Sequence, residues 1–205
     1  MRTLIITTIM LVLAVSTFSQ TKKSSADLDK KVQAYLDNHK AGLGHGSIPE
    51  ADGKAFYDMI IKNKYKSALE IGTSNGYSSI WIAWAMSKTG GKLITIEIDE
   101  GRHKTAIANF KEAGLSDYID ARLANAHELI YKLKGPFDFV LEDADISKEY
   151  FDVAAAKMLI GGVYVSHGVR GENGDYQNHL KSYKNFETSF NTGGGYCASI
   201  KKAEK

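Results

Sequence analysis

Between Ser67 and Val165, short runs with the two-residue period of a strand alternate with runs of helical period, and no other property of the chain limits its fold as strongly. Strands are predicted at Ser67–Ile71, Lys92–Glu97, Ile119–Leu123, Phe137–Leu141 and Gly162–Val165. Of the helices between them, Tyr77–Met86 is apolar on nearly every side, and its Trp81 and Trp84 are expected in the core. Ala106, Ile107, Phe110 and Ala113 mark one face of the next helix, and Tyr150, Val153, Ala154 and Lys157 fall in a later one. Strand and helix in alternation build a parallel sheet covered on both faces. Two further strands, Phe186–Ser189 and Tyr196–Lys201, are joined by Asn191-Thr192-Gly193-Gly194-Gly195. That link is too short for a crossover helix, so the pair is antiparallel. Upstream, Ser24-Ser25-Ala26-Asp27 has the form of a capping box, followed by Leu28, Val32, Tyr35 and Leu36 at helical spacing. This predicts a lid or flanking helix. Ser47-Ile48-Pro49 then opens a second helix with Phe56, Met59 and Ile60 on one face.

The 205 residues read as a signal segment, 1–19, and one domain, 20–205, with no repeat or linker. Arg2, the apolar run from Leu4 to Val15, and small residues at Thr17 and Ser19 are ordered as an export signal cleaved before Gln20. Twelve helical residues reach only about 18 Å, short of the roughly 30 Å hydrocarbon core, so no stable membrane span is expected after cleavage. The mature protein is expected to be periplasmic or secreted. Cleavage leaves 25 basic against 24 acidic side chains, a balance that gives no field for binding nucleic acid. Cys197 is the only cysteine, which excludes an intrachain disulfide, a thiolate zinc cluster and a CxxC redox site.

The chemistry-bearing residues gather at the carboxyl ends of the predicted strands, where open α/β sheets bind ligands. Glu70-Ile71-Gly72-Thr73-Ser74-Asn75-Gly76-Tyr77-Ser78 spans a strand-to-helix turn with the pattern E-x-G-x-x-x-G. Gly72 and Gly76 allow close backbone approach, and the helix beginning at Tyr77 and Ser78 offers free N–H groups. Ser74 stands where a dinucleotide loop has its second glycine, which disfavours NAD. Glu97 ends the next strand, a placement suited to accepting hydrogen bonds from both hydroxyls of a ribose. A ribose site without a pyrophosphate site points to S-adenosylmethionine.

Ala68–Ser78, Leu93–Asp99, Gly135-Pro136-Phe137-Asp138-Phe139-Val140-Leu141-Glu142-Asp143-Ala144-Asp145 and Gly161–Val165 together resemble the class I S-adenosylmethionine-dependent O-methyltransferases of the catechol and caffeoyl-CoA type. The resemblance implies a Rossmann-like, doubly wound sheet of seven strands, the last antiparallel, with helices on both faces. It implies a cofactor site formed by Glu70, Gly72, Thr73, Gly76, Tyr77 and Ser78, with Glu97 on the ribose, Asn125, Ala126 and His127 beside the adenine, and Asp143 near the methyl group. The acceptor is expected to be a small hydroxylated molecule, phenols among them, and homodimers are common among such enzymes.

The chain also departs from the family. In metal-dependent members the aspartate matching Asp143 binds a divalent cation together with an Asp-Asn pair that here reads His167-Gly168, and the lysine that can serve as base is Ile146. Two readings stay open. Asp143 and His167 hold a transition metal, with Asp145 as a further ligand; or the site is metal-free and His167, made more basic by Asp143, takes the acceptor proton. Against both stands the plainer view that Asp143 positions the cofactor amine and His167 is a hydrogen-bonded turn residue. His39, His103 and His179 read as solvated surface, while His45, in a glycine-rich loop, is a candidate to close over the substrate. Arg170–Tyr176 has the composition of an acceptor-binding loop. The alternative function is an exported protein that binds the nucleoside without catalysis. A nucleic-acid amine methyltransferase is disfavoured, because the strand before Asp143 is not followed by an Asn/Asp-Pro-Pro-aromatic sequence.

Overall fold

The structure, a computed structural model, describes residues 25–204 apart from 45, 170, 172 and 191. The expected export segment and His45 lie outside the described residues. In chain order the elements are α1 (Ser25–Asn38), α2 (Glu50–Asn63), β1 (Ser67–Ile71), α3 (Tyr77–Thr89), β2 (Lys92–Glu97), α4 (Glu100–Ala113), β3 (Ile119–Leu123), α5 (Ala126–Lys132), β4 (Phe137–Glu142), α6 (Lys148–Ala155), β5 (Met158–His167), α7 (Asp175–Ser182), β6 (Phe186–Ser189) and β7 (Tyr196–Lys201). No helix among the described residues is long and apolar enough to cross a membrane.

The strands form one seven-stranded sheet in the order β3-β2-β1-β4-β5-β7-β6. β1 to β5 run parallel, and β7 is antiparallel to both β5 and β6. Chain order reverses between β1 and β4, and this switch point opens a crevice at the carboxyl ends of the strands. Alternate strand residues serve opposite faces. Ala68, Phe139, Leu141, Val163 and Val165 pack under α1 to α4, whereas Leu69, Ile71, Val140 and Tyr164 pack under α5 to α7.

α1 buries Leu28, Val32, Tyr35 and Leu36, the four residues its periodicity selects, and so flanks the domain. α3 is buried on nearly every side because α2 lies over it; a side chain on Gly53 of α2 would collide with the Trp81 ring. Trp84 is only partly buried, since its indole N–H reaches out to Asp29 Oδ1 of α1 at 2.7 Å. β5 begins four residues before its predicted start, at Met158. Gly161-Gly162 has the composition of a turn, but it lies where the β4–β5 register slips between Phe137 and Phe139, so the pair forms an irregularity inside a strand.

Candidate functional site

The crevice is a cleft of about 490 Å³ walled by the segments that follow β1 to β4. Gly72 and Ser74 contribute after β1, Glu97 and Ile98 at the end of β2, Asn125 to His127 after β3, and Asp143 to Asp145 after β4. The first and last of these walls meet backbone to backbone: Asp143 N–H donates to the Ile71 carbonyl at 2.9 Å. At Gly72, with φ of +95°, a Cβ would run into the Asp143 carbonyl, so this crossing requires glycine.

Glu97 is 5% exposed, and its carboxylate is fixed by three backbone donors. Ser74 N–H reaches Oε2 at 2.7 Å, and Ile98 and Asp99 N–H reach Oε1 at 3.0 and 2.9 Å. The loop after β1 is thereby fastened to the end of β2, and the carboxylate stays on the cleft wall. Asn125 caps α5 by accepting the His127 N–H at 3.0 Å, while the His127 ring stacks on Tyr150.

Of the residues expected to hold the cofactor, Gly72, Glu97, Asn125, Ala126 and Asp143 line the cleft. Glu70, Thr73, Gly76, Tyr77 and Ser78 do not; they are packed behind the loop. Gly76 faces the Phe110 ring, which leaves no room for a side chain. Glu70 points from β1 toward α3, where it accepts from Ser79 Oγ and, at 2.6 Å, from Thr95 Oγ1. Thr95 in turn shares a 2.5 Å hydrogen bond with Thr73. Complete burial pushes the Glu70 carboxyl up to about 7, against hydrogen bonds from Ser78, Ser79 and Thr95, and the Asp143 charge adds to the rise. Ser74, which the sequence offered only as a substitute for glycine, lies on the wall itself, with φ of +49°.

On the far side of Asp143 the structure assembles a cluster with one unforeseen member. His167, the last residue of β5, presents Nδ1 to Asp143 Oδ1 at 2.9 Å and Nε2 to Asp52 Oδ2 at 3.1 Å. Asp52, in the first turn of α2, is 4% exposed, and the same oxygen accepts the Gly195 N–H at 3.2 Å. Burial alone would depress the imidazole, but hydrogen bonds and charge from Asp143, then from Asp52, outweigh it and raise the His167 pKa. This geometry bears on both open readings of His167. Both His167 nitrogens face carboxylates, and Asp143, not His167, lines the cleft, so the ring reaches an acceptor only through Asp143. The side chains do not fit a divalent cation: both ring nitrogens are engaged with carboxylates, Gly168 has no side-chain oxygen, and Asp145 is exposed rather than gathered with the other two.

A second buried cluster lies below the first. Glu142, fully buried at the end of β4, accepts from Ser147 N–H and Tyr176 O–H, both at 2.7 Å, and Tyr176 shares a 2.8 Å hydrogen bond with Ser166. Burial raises the pKa of Glu142, and burial with the Glu142 charge raises that of Tyr176. Tyr176 anchors the end of the expected acceptor loop. His179 is not solvated as expected, since Nε2 pairs with Asp152 at 2.6 Å and the ring packs edge-on against Phe151. His39 stacks on Tyr35, and His103 is partly buried.

Residues 22–166 match the model of the family described as O-methyltransferase. The chain belongs to this O-methyltransferase family. A catechol O-methyltransferase from Niastella koreensis is 34% identical over 136 residues, which cover 63% of this chain and 61% of that protein. A caffeoyl-CoA O-methyltransferase from Populus kitakamiensis is 31% identical over 142 residues, covering 65% and 60%. The match thus spans about three fifths of the length of these relatives. Among solved structures, an O-methyltransferase from Bacillus cereus in complex with SAH superposes with a TM-score of 0.68 at 25% identity, covering 92% of this chain and 95% of that one. The O-methyltransferase TomG from Streptomyces achromogenes, at 24% identity and a TM-score of 0.67 over 92% and 94%, shares the fold. Family membership accounts for the cleft at the β1/β4 switch point, and it leaves the Asp52–His167–Asp143 cluster to be explained by this chain's own residues.

Proposed function

We propose that the protein transfers a methyl group from S-adenosylmethionine to a hydroxyl of a small acceptor, with phenols and catechols the first class to test. The observation that carries this reading is the pairing, on one cleft wall, of the anchored Glu97 carboxylate with Asp143 across the Gly72 crossing. Glu97 Oε1 is taken up by two backbone donors while Oε2, with one, keeps a lone pair for a ribose hydroxyl; Ile98, 66% exposed, offers apolar surface to a base, and the cleft volume lies within the roughly 300–1,000 Å³ usual for such ligands. When bound, S-adenosylmethionine supplies a methyl on a sulfonium sulfur, which keeps the bonding pair as the acceptor oxygen forms the new C–O bond. The chain's part is orientation and proton removal. Asp143, held at Oδ1 by His167, accepts the hydroxyl proton, and the ether and S-adenosylhomocysteine leave. Calorimetric titration with S-adenosylhomocysteine, followed by assay against a panel of phenols, tests the reading; absence of binding would overturn it.

Export is a further part of the proposal, and its support is the order of Arg2, the apolar run and the small residues at Thr17 and Ser19. Fractionation and N-terminal sequencing test it: Gln20 as first residue upholds export, and Met1 retained in the cytosol overturns it.

A further inference from the structure

A histidine ring placed between two carboxylates has a definite hydrogen count. Neutral imidazole carries one N–H and one lone pair, so one of the two carboxylates would face a lone pair at contact distance. At His167 both contacts, 2.9 Å to Asp143 and 3.1 Å to Asp52, are within hydrogen-bond range, and with both carboxylates ionised both are favourable when each nitrogen carries a proton. The three side chains are mostly withdrawn from water, with exposures of 17% for His167, 5% for Asp52 and 18% for Asp143, so their charges act on one another with little screening. Asp52 is itself braced by the Gly195 N–H, and Gly168 N–H donates to the Gly195 carbonyl at 2.7 Å, so α2, β5 and the turn before β7 are tied to one another around the ring. The side chains do not suit a divalent cation, and what stands beside Asp143 is an imidazole held between two carboxylates.

We infer that the Asp52–His167–Asp143 bridge replaces the divalent cation of metal-dependent relatives, with Asp52 as the positioning residue that holds the ring against Asp143. The inference rests on the methyl-transfer reading for its purpose, but its geometry can be measured apart from turnover. The charged groups that face the ring are these two carboxylates, one from α2 and one from the segment after β4. Removing the Asp52 charge leaves Asp143 to hold the ring alone, with a donor on Nε2 that has lost its anionic partner.

The test is a pH titration of the full chain labelled with nitrogen-15 in histidine, following the His167 ring nitrogens. At pH 7 both are expected in the protonated form, and Asp52→Asn is expected to lower the midpoint by about one pH unit or more, the scale on which one neighbouring charge acts. Asp52→Glu, which keeps the carboxylate, is expected to recover part of that change and serves should the asparagine variant fail to fold. Mn²⁺ and Zn²⁺, added in turn to the unaltered protein, are expected to leave the ring signals in place. A singly protonated ring at pH 7, an unmoved midpoint in Asp52→Asn, or loss of the ring signals at stoichiometric metal would each overturn the bridge. Calorimetry with S-adenosylhomocysteine in chelator, run on the same samples, separates the two claims: no binding with the ring still doubly protonated overturns the methyl-transfer reading and upholds the bridge.

Discussion

The two halves of the cleft are built in different ways. The half walled by β1, β2 and β3 is assembled from segments close in sequence: Ser74 donates to Glu97 across 23 positions, and the remaining backbone donors to Glu97 and to Asn125 come from their own strand-to-helix turns. The half beyond Asp143 is assembled from afar, with Asp52 meeting His167 across 115 positions. Local turns can be read from spacing, because a strand end and the following helix start constrain one another directly. Distant clusters depend on how helices lie over the sheet, and the consequence is a protonation pattern that neither residue shows alone. In the first half the fixed charge is a carboxylate open to a ligand; in the second it is a histidine enclosed by carboxylates.

If the second half carries the proton chemistry, Asp143→Asn is the largest perturbation. It is expected to lower methyl transfer to phenolic acceptors by about 10²–10⁴-fold, the usual worth of a positioned acid or base, and to affect S-adenosylhomocysteine affinity far less. Parallel initial-rate and calorimetric measurements check this; wild-type rates in the variant would return the proton to some other group.

Glu70→Gln probes the first half from behind. A carboxyl held near 7 in the folded protein, against its ordinary value of 4.5, makes folding favour the protonated form. Its contribution is therefore complete below about pH 4.5 and is lost as pH rises toward 7. The glutamine variant should unfold at nearly the wild-type temperature at pH 4.5 and be more stable at pH 8, by up to about 3 kcal/mol. Melting curves across that range decide the matter, and a variant less stable at pH 8 would mean that the ionised carboxylate is tolerated.

Glu97→Ala sharpens the distinction between a carboxylate on the wall and one behind it. Loss of charge-assisted hydrogen bonds to a ribose is expected to weaken S-adenosylhomocysteine binding by about 2 kcal/mol, roughly 30-fold, whereas Glu70→Gln should leave that affinity close to wild type. Equal losses in the two variants would erase the division between wall and backing.

Those two carboxylates also show how far the sequence could be read. Strand positions came from periodicity, and the registers of β1, β2 and β3 agree with it because their residues are consecutive and unbroken. The motif around Gly72 was legible, but its spacing did not reveal which members face the ligand: strand alternation turns Glu70 into the α3 side, while Ser74 reaches the wall through a positive φ. Asp52 did leave a trace. It stands four and eight residues before Phe56 and Ile60, on the buried face of α2, and a carboxylate in an apolar stripe asks for a partner. Naming that partner required the fold. Glu142 was passed over for a similar reason, since it ends an apolar strand and its clamp on Tyr176 spans 34 positions.

The smallest expected effect tests the second half most pointedly. Ile146 occupies the position where the resemblance places a basic lysine, and it is 37% exposed at the edge of the Asp143–Asp145 segment. Ile146→Lys restores that lysine without touching the bridge. A partly exposed position away from the core should shift stability by no more than about 0.5 kcal/mol in either direction. If Asp143, oriented by His167, already receives the acceptor proton, the new amine adds a base where none is needed, and the rate on phenols should stay near wild type across pH 7 to 9. A rise in rate with pH that appears only in the lysine variant would mean that the chain lacks an effective base and that the bridge serves the site's architecture alone.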